Sequence, residues 1–312
     1  MKIVVTGALG HIGSRLIRVL PIRFPGAAIV MLDNLSSERY CSLFALPDSG
    51  NYRFHVADVL TTDLDAIFSG AGVVVHLAAI TNAVESLQNE DQVERVNFEG
   101  TERVAQACLR NGAPLIFIST TSVYGTQAEE VDENCAPDEL KPQSPYAESK
   151  LRAERMLLSL GQEGGLRFIT CRFGTIYGPS EGMRFHTAVN KFIWQACNGI
   201  PLTVWTSALD QKRPYLDLED AVSALEFIIG RGLYDRQIYN VLTANATVRE
   251  IVEAIREFVP DVKVGLVDAR IMNQLSYMVS CRKFSALGFR FKGDLRRQIA
   301  HSVALLRGVR RW

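Results

Sequence analysis

Short aliphatic runs recur through the first half of the chain: "KIVVT" (2–6), "AIVML" (28–32), "YRFHVA" (52–57), "VVVHLAA" (73–79), "PLIFIS" (114–119) and "RFITCRF" (167–173). Between several of them apolar residues repeat at helical spacing, most clearly in "HIGSRLIRVL" (11–20) and "VERVNFEGTERVAQACLRNG" (93–112). A strand with one wet face alternates apolar and polar residues, whereas a strand covered on both faces does not. The pattern therefore predicts an α/β fold in which buried strands form a doubly wound parallel sheet between two layers of helices.

After residue 174 the alternation loosens. A helix is expected within "MRFHTAVNKFIWQACNG" (183–199), a strand at "PLTVW" (201–205) and a strand leading into a helix at "YLDLEDAVSALEFIIG" (215–230). "QIYNV" (237–241) reads as another strand, and "TVREIVEAIREFV" (247–259) as a helix opened by a capping box from Thr247 to Glu250. The tail "DLRRQIAHSVALLRG" reads as a last amphipathic helix. No linker-like stretch separates the halves. The expected division is a sheet-bearing domain of residues 1–174 with return segments at about 214–242, and a smaller α/β lobe of 175–213 and 243–312 packed against it.

Composition narrows the function. Of 312 residues, 47% are hydrophobic and 22% charged, ordinary for a soluble enzyme, and the formal net charge is zero. A balanced charge argues against a nucleic-acid partner, since phosphate-backbone binders carry a basic excess. The aliphatic start is too short for a secretory signal, and no apolar run approaches a membrane span, so no membrane partner and a cytoplasmic location are expected. The six cysteines lie far apart without a C-x-x-C pair, which points to individually buried, reduced thiols and no metal site.

The first strand runs into "TGALGHIGS", with Gly7, Gly10 and Gly13 spaced G-x-x-G-x-x-G. A glycine loop between strand and helix lets backbone N–H groups and the helix N-terminus meet a pyrophosphate. The second strand ends at Asp33, twenty residues after Gly13, where a carboxylate would accept the adenosine ribose hydroxyls and repel a 2′-phosphate. A third strand ends in "ADV", placing Asp58 within reach of the adenine edge. Together these residues favour a bound dinucleotide, NAD over NADP.

Further along stand "HLAA" (76–79), "NFEGT" (97–101), "STTSVYG" (119–125), "SPYAESK" (144–150), "YGP" (177–179) and "KRPYLDLEDAV" (212–222). With the glycine loop, this series resembles the extended short-chain dehydrogenase/reductases of the nucleotide-sugar epimerase/dehydratase group, over essentially the whole chain. The resemblance implies a Rossmann sheet with a smaller C-terminal substrate-binding lobe. It implies NAD lying along Gly7, Gly10, His11, Ile12, Gly13, Asp33, Asn34, Asp58, Val59, Leu77, Ala78 and Ala79, and meeting Tyr146 and Lys150. Tyr146 would be the base that takes a proton from a sugar hydroxyl. A free phenol titrates near 10, so work at pH 7 needs a shift of roughly three units, about 4 kcal/mol, and the Lys150 ammonium one helical turn on would help supply it. Thr120 would hydrogen-bond the reacting hydroxyl, and Asn97 would brace the active-site backbone. Arg213 would pair the substrate diphosphate, with Arg270 as a second candidate. His76 is given no catalytic part. A homodimer paired through helices near 91–111 and 145–161 is implied as well.

Departures from the group's pattern select among its reactions. Thr121 and Ser122 stand where dehydratases carry Asp-Glu and decarboxylases carry a Glu, which counts against both. Thr175 replaces a common Asn, as in epimerases of uronic acids; these carry an arginine soon after Gly-Pro, whereas this chain has Ser-Glu-Gly, with Arg184 nearby. Pro214 replaces an Asp. Thr121, Ser122, Thr175, Arg213 and Arg270 are thus the substrate-side candidates, with a nucleotide-diphosphate sugar as ligand. The expectation is an NAD-dependent nucleotide-sugar 4-epimerase that oxidises C4 and re-reduces it. The alternatives are a one-way C4 oxidase or 4-keto reductase, and further behind a dehydratase or decarboxylase.

Overall fold

The computed structural model describes residues 1–82, 85–125, 129–268, 276–306 and 308. Its strands begin with β1 (Lys2–Thr6), β2 (Ala28–Asp33), β3 (Asn51–Val56), β4 (Val73–His76) and β5 (Leu115–Thr120). They continue with β6 (Glu130–Val131), β7 (Phe168–Phe173), β8 (Thr175–Tyr177), β9 (Leu202–Trp205) and β10 (Lys212–Asp217). β11 (Ile238–Val241), β12 (Ala244–Thr247), β13 (Val264–Val267) and β14 (Met278–Val279) follow. Seven of them form one sheet in the order β11-β7-β5-β4-β1-β2-β3, every neighbouring pair parallel. The winding reverses between β1 and β4, which opens a crevice at the carboxyl ends of those two strands.

The helices are α1 (His11–Arg23), α2 (Leu64–Phe68), α3 (Glu90–Val93), α4 (Gly100–Arg110) and α5 (Pro145–Glu163), then α6 (Ala188–Cys197), α7 (Leu218–Arg231), α8 (Val248–Arg256), α9 (Arg282–Ala286) and α10 (Leu295–Leu306). Alternate residues of β1 serve opposite cores. Ile3 and Val5 pack with Leu16 and Leu20 of α1 and Leu225 of α7, while Val4 packs with Val104 of α4 and Leu157 of α5. Both faces are therefore dry, as the lack of polar alternation requires. β3 departs from that expectation: it lies at the sheet edge and is largely exposed. Only one strand neighbours it, and its Arg53 and His55 suit water.

The stretch 93–112, expected as one helix, contains a π-helical segment at Glu94–Glu99 between α3 and α4. The widened turn puts Asn97 fully inside the protein. The cysteines also depart from expectation. Cys108 and Cys171 are buried, but Cys41 is exposed, because the short 3₁₀ turn it occupies turns Ser42 inward instead.

Beyond the main sheet, β8 pairs in parallel with β10, which pairs antiparallel with β12, and β9 pairs with β13. α6, α8 and α10 pack around these strands through Phe192, Ile255 and Ile299. The capping box at Thr247 and Glu250 is formed as the sequence pattern requires. Between β14 and α10 the chain returns to the large sheet: Phe284 of α9 and Phe289 pack against Phe227 of α7, with ring centroids 6.0 and 5.5 Å away.

Two buried carboxylates fasten this C-terminal part to the start of α7. Asp220 accepts hydrogen bonds from the Thr243 hydroxyl at 2.7 Å and from the backbone N–H groups of Lys292 and Gly293 at 2.8 and 3.0 Å. Asp217 caps α7 by accepting from Glu219 N at 2.8 Å and also accepts from Gln298 at 3.2 Å. Burial pushes the Asp217 carboxyl up to about 6. Its folded form thus prefers the proton, so the stability it contributes is fully present below pH 4 and lost as pH rises through 6, by up to about 3 kcal/mol. Asp217→Asn, which keeps a capping oxygen, is expected to gain melting temperature relative to the parent at pH 7.5 but not at pH 4.5. Equal differences at the two pH values would refute the ionisation cost.

Candidate active site

The site starts at the glycine loop. Gly7 has a φ of +65°, and a Cβ there would come within 2.6 Å of the Ala78 nitrogen. A Cβ on Gly13 would overlap the Gly7 carbonyl oxygen, whereas one on Gly10 would meet little beyond that same oxygen at 3.2 Å. Two glycines are thus forced by packing between β1, α1 and the end of β4, and the third keeps the loop's outer face low. Asp33 closes the loop from below: its carboxylate accepts from Leu9 N and Leu35 N, each at 3.0 Å. Asn34 donates to Asp58 at 3.0 Å. Val59 is buried and its carbonyl accepts from Arg103 at 2.9 Å.

A directed chain of hydrogen bonds connects this loop to α5. Ala78 N–H donates to the Thr6 hydroxyl at 3.3 Å, and the Thr6 oxygen lies 2.7 Å from His76 Nδ1. His76 Nε2 lies 3.0 Å from the Thr101 oxygen, and Thr101 donates to the Asn97 carbonyl at 2.5 Å. Because Thr101 spends its proton on that carbonyl, Nε2 is the protonated nitrogen of His76 and Nδ1 accepts from Thr6. Burial holds the ring neutral by pushing it down to about 3. The Asn97 side chain binds both the N–H and the C=O of Ile80, at 2.8 and 2.9 Å, and donates to Ser149 at 3.3 Å. Ser149 in turn donates to the Tyr146 carbonyl at 2.8 Å. Residues 6, 76, 97, 101 and 149 form a scaffold that fixes α5 against the crevice.

α5 begins where the sequence dictates, with Ser144 accepting from Ala147 N at 3.2 Å and Pro145 at the first helical position. That start fixes the helix phase, so Tyr146 and Lys150 line one cavity of about 420 Å³ together with Thr120. The Thr120 side chain is near enough to the Tyr146 phenol to act on its ionisation. Thr120 also accepts from Ser122 N at 3.1 Å, which orients its hydroxyl at the end of β5. Burial pushes the phenol up, and the Arg184 guanidinium and the Thr120 side chain pull it back. The charge set against the phenol in this structure is therefore Arg184, where Lys150 was expected. Lys150 is buried with its ammonium 4.8 Å from the Phe117 ring centre, and burial pushes it down to about 7.

Arg184 reaches the cavity because the segment 178–184 is strapped onto the glycine loop. His11 Nε2 donates to the Gly178 carbonyl at 2.7 Å, Ser180 donates to the His11 carbonyl at 2.9 Å, and Gly182 N donates to Ser14 at 3.0 Å. Glu181 pairs with the buried Arg18 at 3.0 Å. A Cβ on Gly182 would overlap the carbonyl oxygens of Leu9 and Gly10. Arg184 itself donates to Thr81, and its Nε is buried without a partner.

Of the residues singled out in the sequence, Ile12, Leu77, Ala79, Thr120, Thr121, Ser122, Tyr146, Lys150, Thr175 and Arg213 line the cavity together. Gly7, Gly10, His11, Gly13, Asp33, Asn34, Asp58, Val59 and Ala78 lie outside it, along the loop and the strand ends beside it. Thr121 turns its hydroxyl to the Phe173 carbonyl at 3.3 Å. Arg213 sits over the Tyr277 ring, 5.2 Å from its centre. Arg270 lies outside the described residues. Three further cavity residues carried no signal strong enough to select: Lys191 on α6, Trp205 on β9 and Tyr277 beside β14. Arg39 likewise gave no signal; it lies outside the cavity lining, beside the glycine loop, where it faces Asp33 and its charge acts on His11 and Arg184.

These features fit a dinucleotide: a loop in which Gly7 and Gly13 admit no Cβ, a capped carboxylate at the end of β2, and a His11 Nδ1 buried without a partner. The chain matches the sequence model of the NAD dependent epimerase/dehydratase family over residues 3–241, and it belongs to that family. It is 30% identical over 304 residues to a trifunctional UDP-glucose 4,6-dehydratase/UDP-4-keto-6-deoxy-D-glucose 3,5-epimerase/UDP-4-keto-L-rhamnose-reductase of Arabidopsis thaliana. That match covers 92% of this chain but only 44% of the plant protein, so the chain spans less than half the length of that relative. Among solved structures, the UDP-glucose 4-epimerase of Thermus thermophilus in complex with NAD superposes with a TM-score of 0.84 at 27% identity, covering 99% of both chains. MoeE5 in complex with UDP-glucuronic acid and NAD gives 0.85 at 28% identity over 99% of both chains. The cofactor of this enzyme family is NAD.

The strap makes a direct prediction. Gly182→Ala must lift residues 178–184 from the loop, so NAD is expected to bind at least about tenfold more weakly by calorimetry. Gly230→Ala, in α7 with nothing nearer than 3.9 Å to the added carbon, should bind NAD unchanged. Unaltered binding by the Gly182 variant would show that the strap and the loop are independent.

Proposed function

We propose that this protein is an NAD-dependent nucleotide-sugar 4-epimerase. The observation that carries the reading is the makeup of the cavity: Tyr146 and Thr120 line it together, Lys150, Arg184, Lys191 and Arg213 supply positive charge, and the described lining residues include no Asp or Glu. Eliminating water from a sugar needs an acid and a base beyond the tyrosine, and this lining offers no carboxylate for either task. What remains within reach is proton transfer at a single hydroxyl.

In this reading Thr120 accepts or donates at the C4 hydroxyl and Tyr146 removes its proton. Bound there, NAD would supply a reversible hydride acceptor for C4, and in an epimerase it would not be consumed. Lys150 would hold the coenzyme's nicotinamide ribose, and Arg184 would favour the ionised phenol. The adenosine half would lie along Gly7, Gly10, His11, Gly13, Asp33 and Asp58, with Asp33 selecting NAD over NADP. Arg213, over Tyr277, would meet the substrate diphosphate as a two-pronged donor. The lobe of residues 175–213 and 243–312 would carry the nucleotide end. Arg184, beside Tyr146 with one N–H unpartnered, favours an acidic sugar within that class. Dimerisation through α4 and α5 follows from the same reading, since both present half-buried apolar side chains, Leu109, Met156 and Leu158, at their outer edges.

The test is to incubate the purified protein, without added coenzyme, with UDP-glucose, UDP-N-acetylglucosamine and UDP-glucuronic acid, and to follow C4 configuration by NMR. Inversion at C4 is expected for at least one sugar, and Tyr146→Phe should slow it by about 10²–10⁴-fold while leaving NAD bound. A requirement for stoichiometric coenzyme would replace the reading with a one-way C4 oxidoreductase. Loss of the C6 hydroxyl would replace it with a dehydratase.

A further inference from the structure

The chemistry above needs a charged Lys150 in a dry site, and the surroundings of that lysine are mostly unhelpful. Lys150 is 3% exposed. Facing it are Phe117 on β5, the neutral His76 on β4, and, one turn away on its own helix, Tyr146 before it and Glu154 after it. Glu154 is the carboxylate whose charge acts on Lys150 and opposes the effect of burial.

Glu154 is itself 1% exposed and firmly held. Arg172 on β7 grips both oxygens, Nε to Oε1 at 3.0 Å and Nη2 to Oε2 at 2.6 Å. Ser119, the residue before Thr120 on β5, donates to Oε1 at 2.5 Å. Arg172 Nη1 donates to the Tyr124 hydroxyl at 2.8 Å, and Tyr124 donates to Asn240 at 2.9 Å. The carboxylate thus joins three elements: the helix bearing Tyr146 and Lys150, the strand bearing Thr120, and the strand leading to Thr175. A buried pair of this kind gives little net stability over apolar side chains of the same size, so packing alone does not call for it.

We propose that Glu154, anchored by Arg172 and Ser119, is a positioning residue that keeps Lys150 in the site as a cation and fixes the spacing between Lys150 and Thr120. The inference rests on the epimerase reading for its purpose, but its test does not. Removing Glu154 alone strands the Arg172 charge and endangers the fold, so Glu154→Leu with Arg172→Met carries the experiment, since apolar replacement of a whole pair is tolerated. In NAD-loaded protein with ¹³C-labelled lysines, the Lys150 signal is titrated by NMR, and turnover is followed against pH. The Lys150 midpoint is expected to fall by about one unit or more in the double variant, with the alkaline limb of turnover moving alongside it. Glu154→Asp, which keeps charge and pair, should titrate nearer the parent. A folded double variant whose Lys150 titrates as in the parent, with the parent's pH profile, would overturn the proposal and leave the epimerase reading intact. A shifted midpoint in a protein that inverts no nucleotide sugar would uphold the coupling and remove that reading instead.

Discussion

A charge survives inside a protein only where another group on the same scaffold answers it, and Lys150, Glu154 and Arg172 are all buried in one neighbourhood, at 3%, 1% and 2% exposure. Much of the site's geometry follows from that constraint. Tyr146, Lys150 and Glu154 fall at i, i+4 and i+8 on α5, one stripe of one helix. A slip of one residue in the helix start would turn all three by about 100°, taking the carboxylate off Arg172 and the phenol off Thr120 together. Ser144 and Pro145 are therefore as much a part of the site as the tyrosine, since they decide where the first turn begins.

The second constraint is continuity. The path from Ala78 through Thr6, His76, Thr101, Asn97 and Ser149 to the Tyr146 carbonyl is built of hydrogen bonds whose donor directions are fixed by the Ala78 N–H and by the carbonyls of Asn97 and Tyr146. The glycine loop lies under one end of it and Tyr146 stands at the other. The strap at 178–184 closes the other side, seating Gly182 on the loop and bringing Arg184 to the phenol. Coenzyme loop and reactive side chains thus share supports, and an uncoupled shift of either would break buried bonds, where an unpaired polar group is most costly.

How much of this was legible in the sequence follows from the range of each interaction. The large sheet was, because strands buried on both faces leave an unbroken aliphatic signature, and β3 was misjudged only in burial, since an edge position is a property of the whole sheet. The glycine loop and the Tyr146–Lys150 spacing were legible as local patterns. Asn97 could be named but its π-helical turn could not, because the extra residue per turn is set by the Ile80 backbone, seventeen positions away. β8 and β12 are too short to show a period. Arg184 and Arg39 were the hardest: each is an ordinary arginine in a loop, and only the folding of 178–184 and of the turn after β2 onto the glycine loop brings them near Tyr146 and Asp33. Arg184 also supplies the charge facing the phenol that helix spacing had assigned to Lys150, whose own charge is answered by Glu154 on the far side.

The distribution of charge then limits what the cavity can catalyse. Four cationic side chains line it and the nearest carboxylates, Asp33 and Glu154, are turned away, one onto backbone N–H groups of the loop and the other onto Arg172. A ligand carrying two phosphates is attracted by such a lining, and its negative charge is answered without a metal-binding cluster among the described residues. The same lining holds no Asp or Glu among the described residues, and the phenol, raised by burial, is a poor acid near neutrality. On the 4-epimerase reading, attraction of an anionic sugar nucleotide and the lack of a carboxylic acid for elimination would have one electrostatic origin.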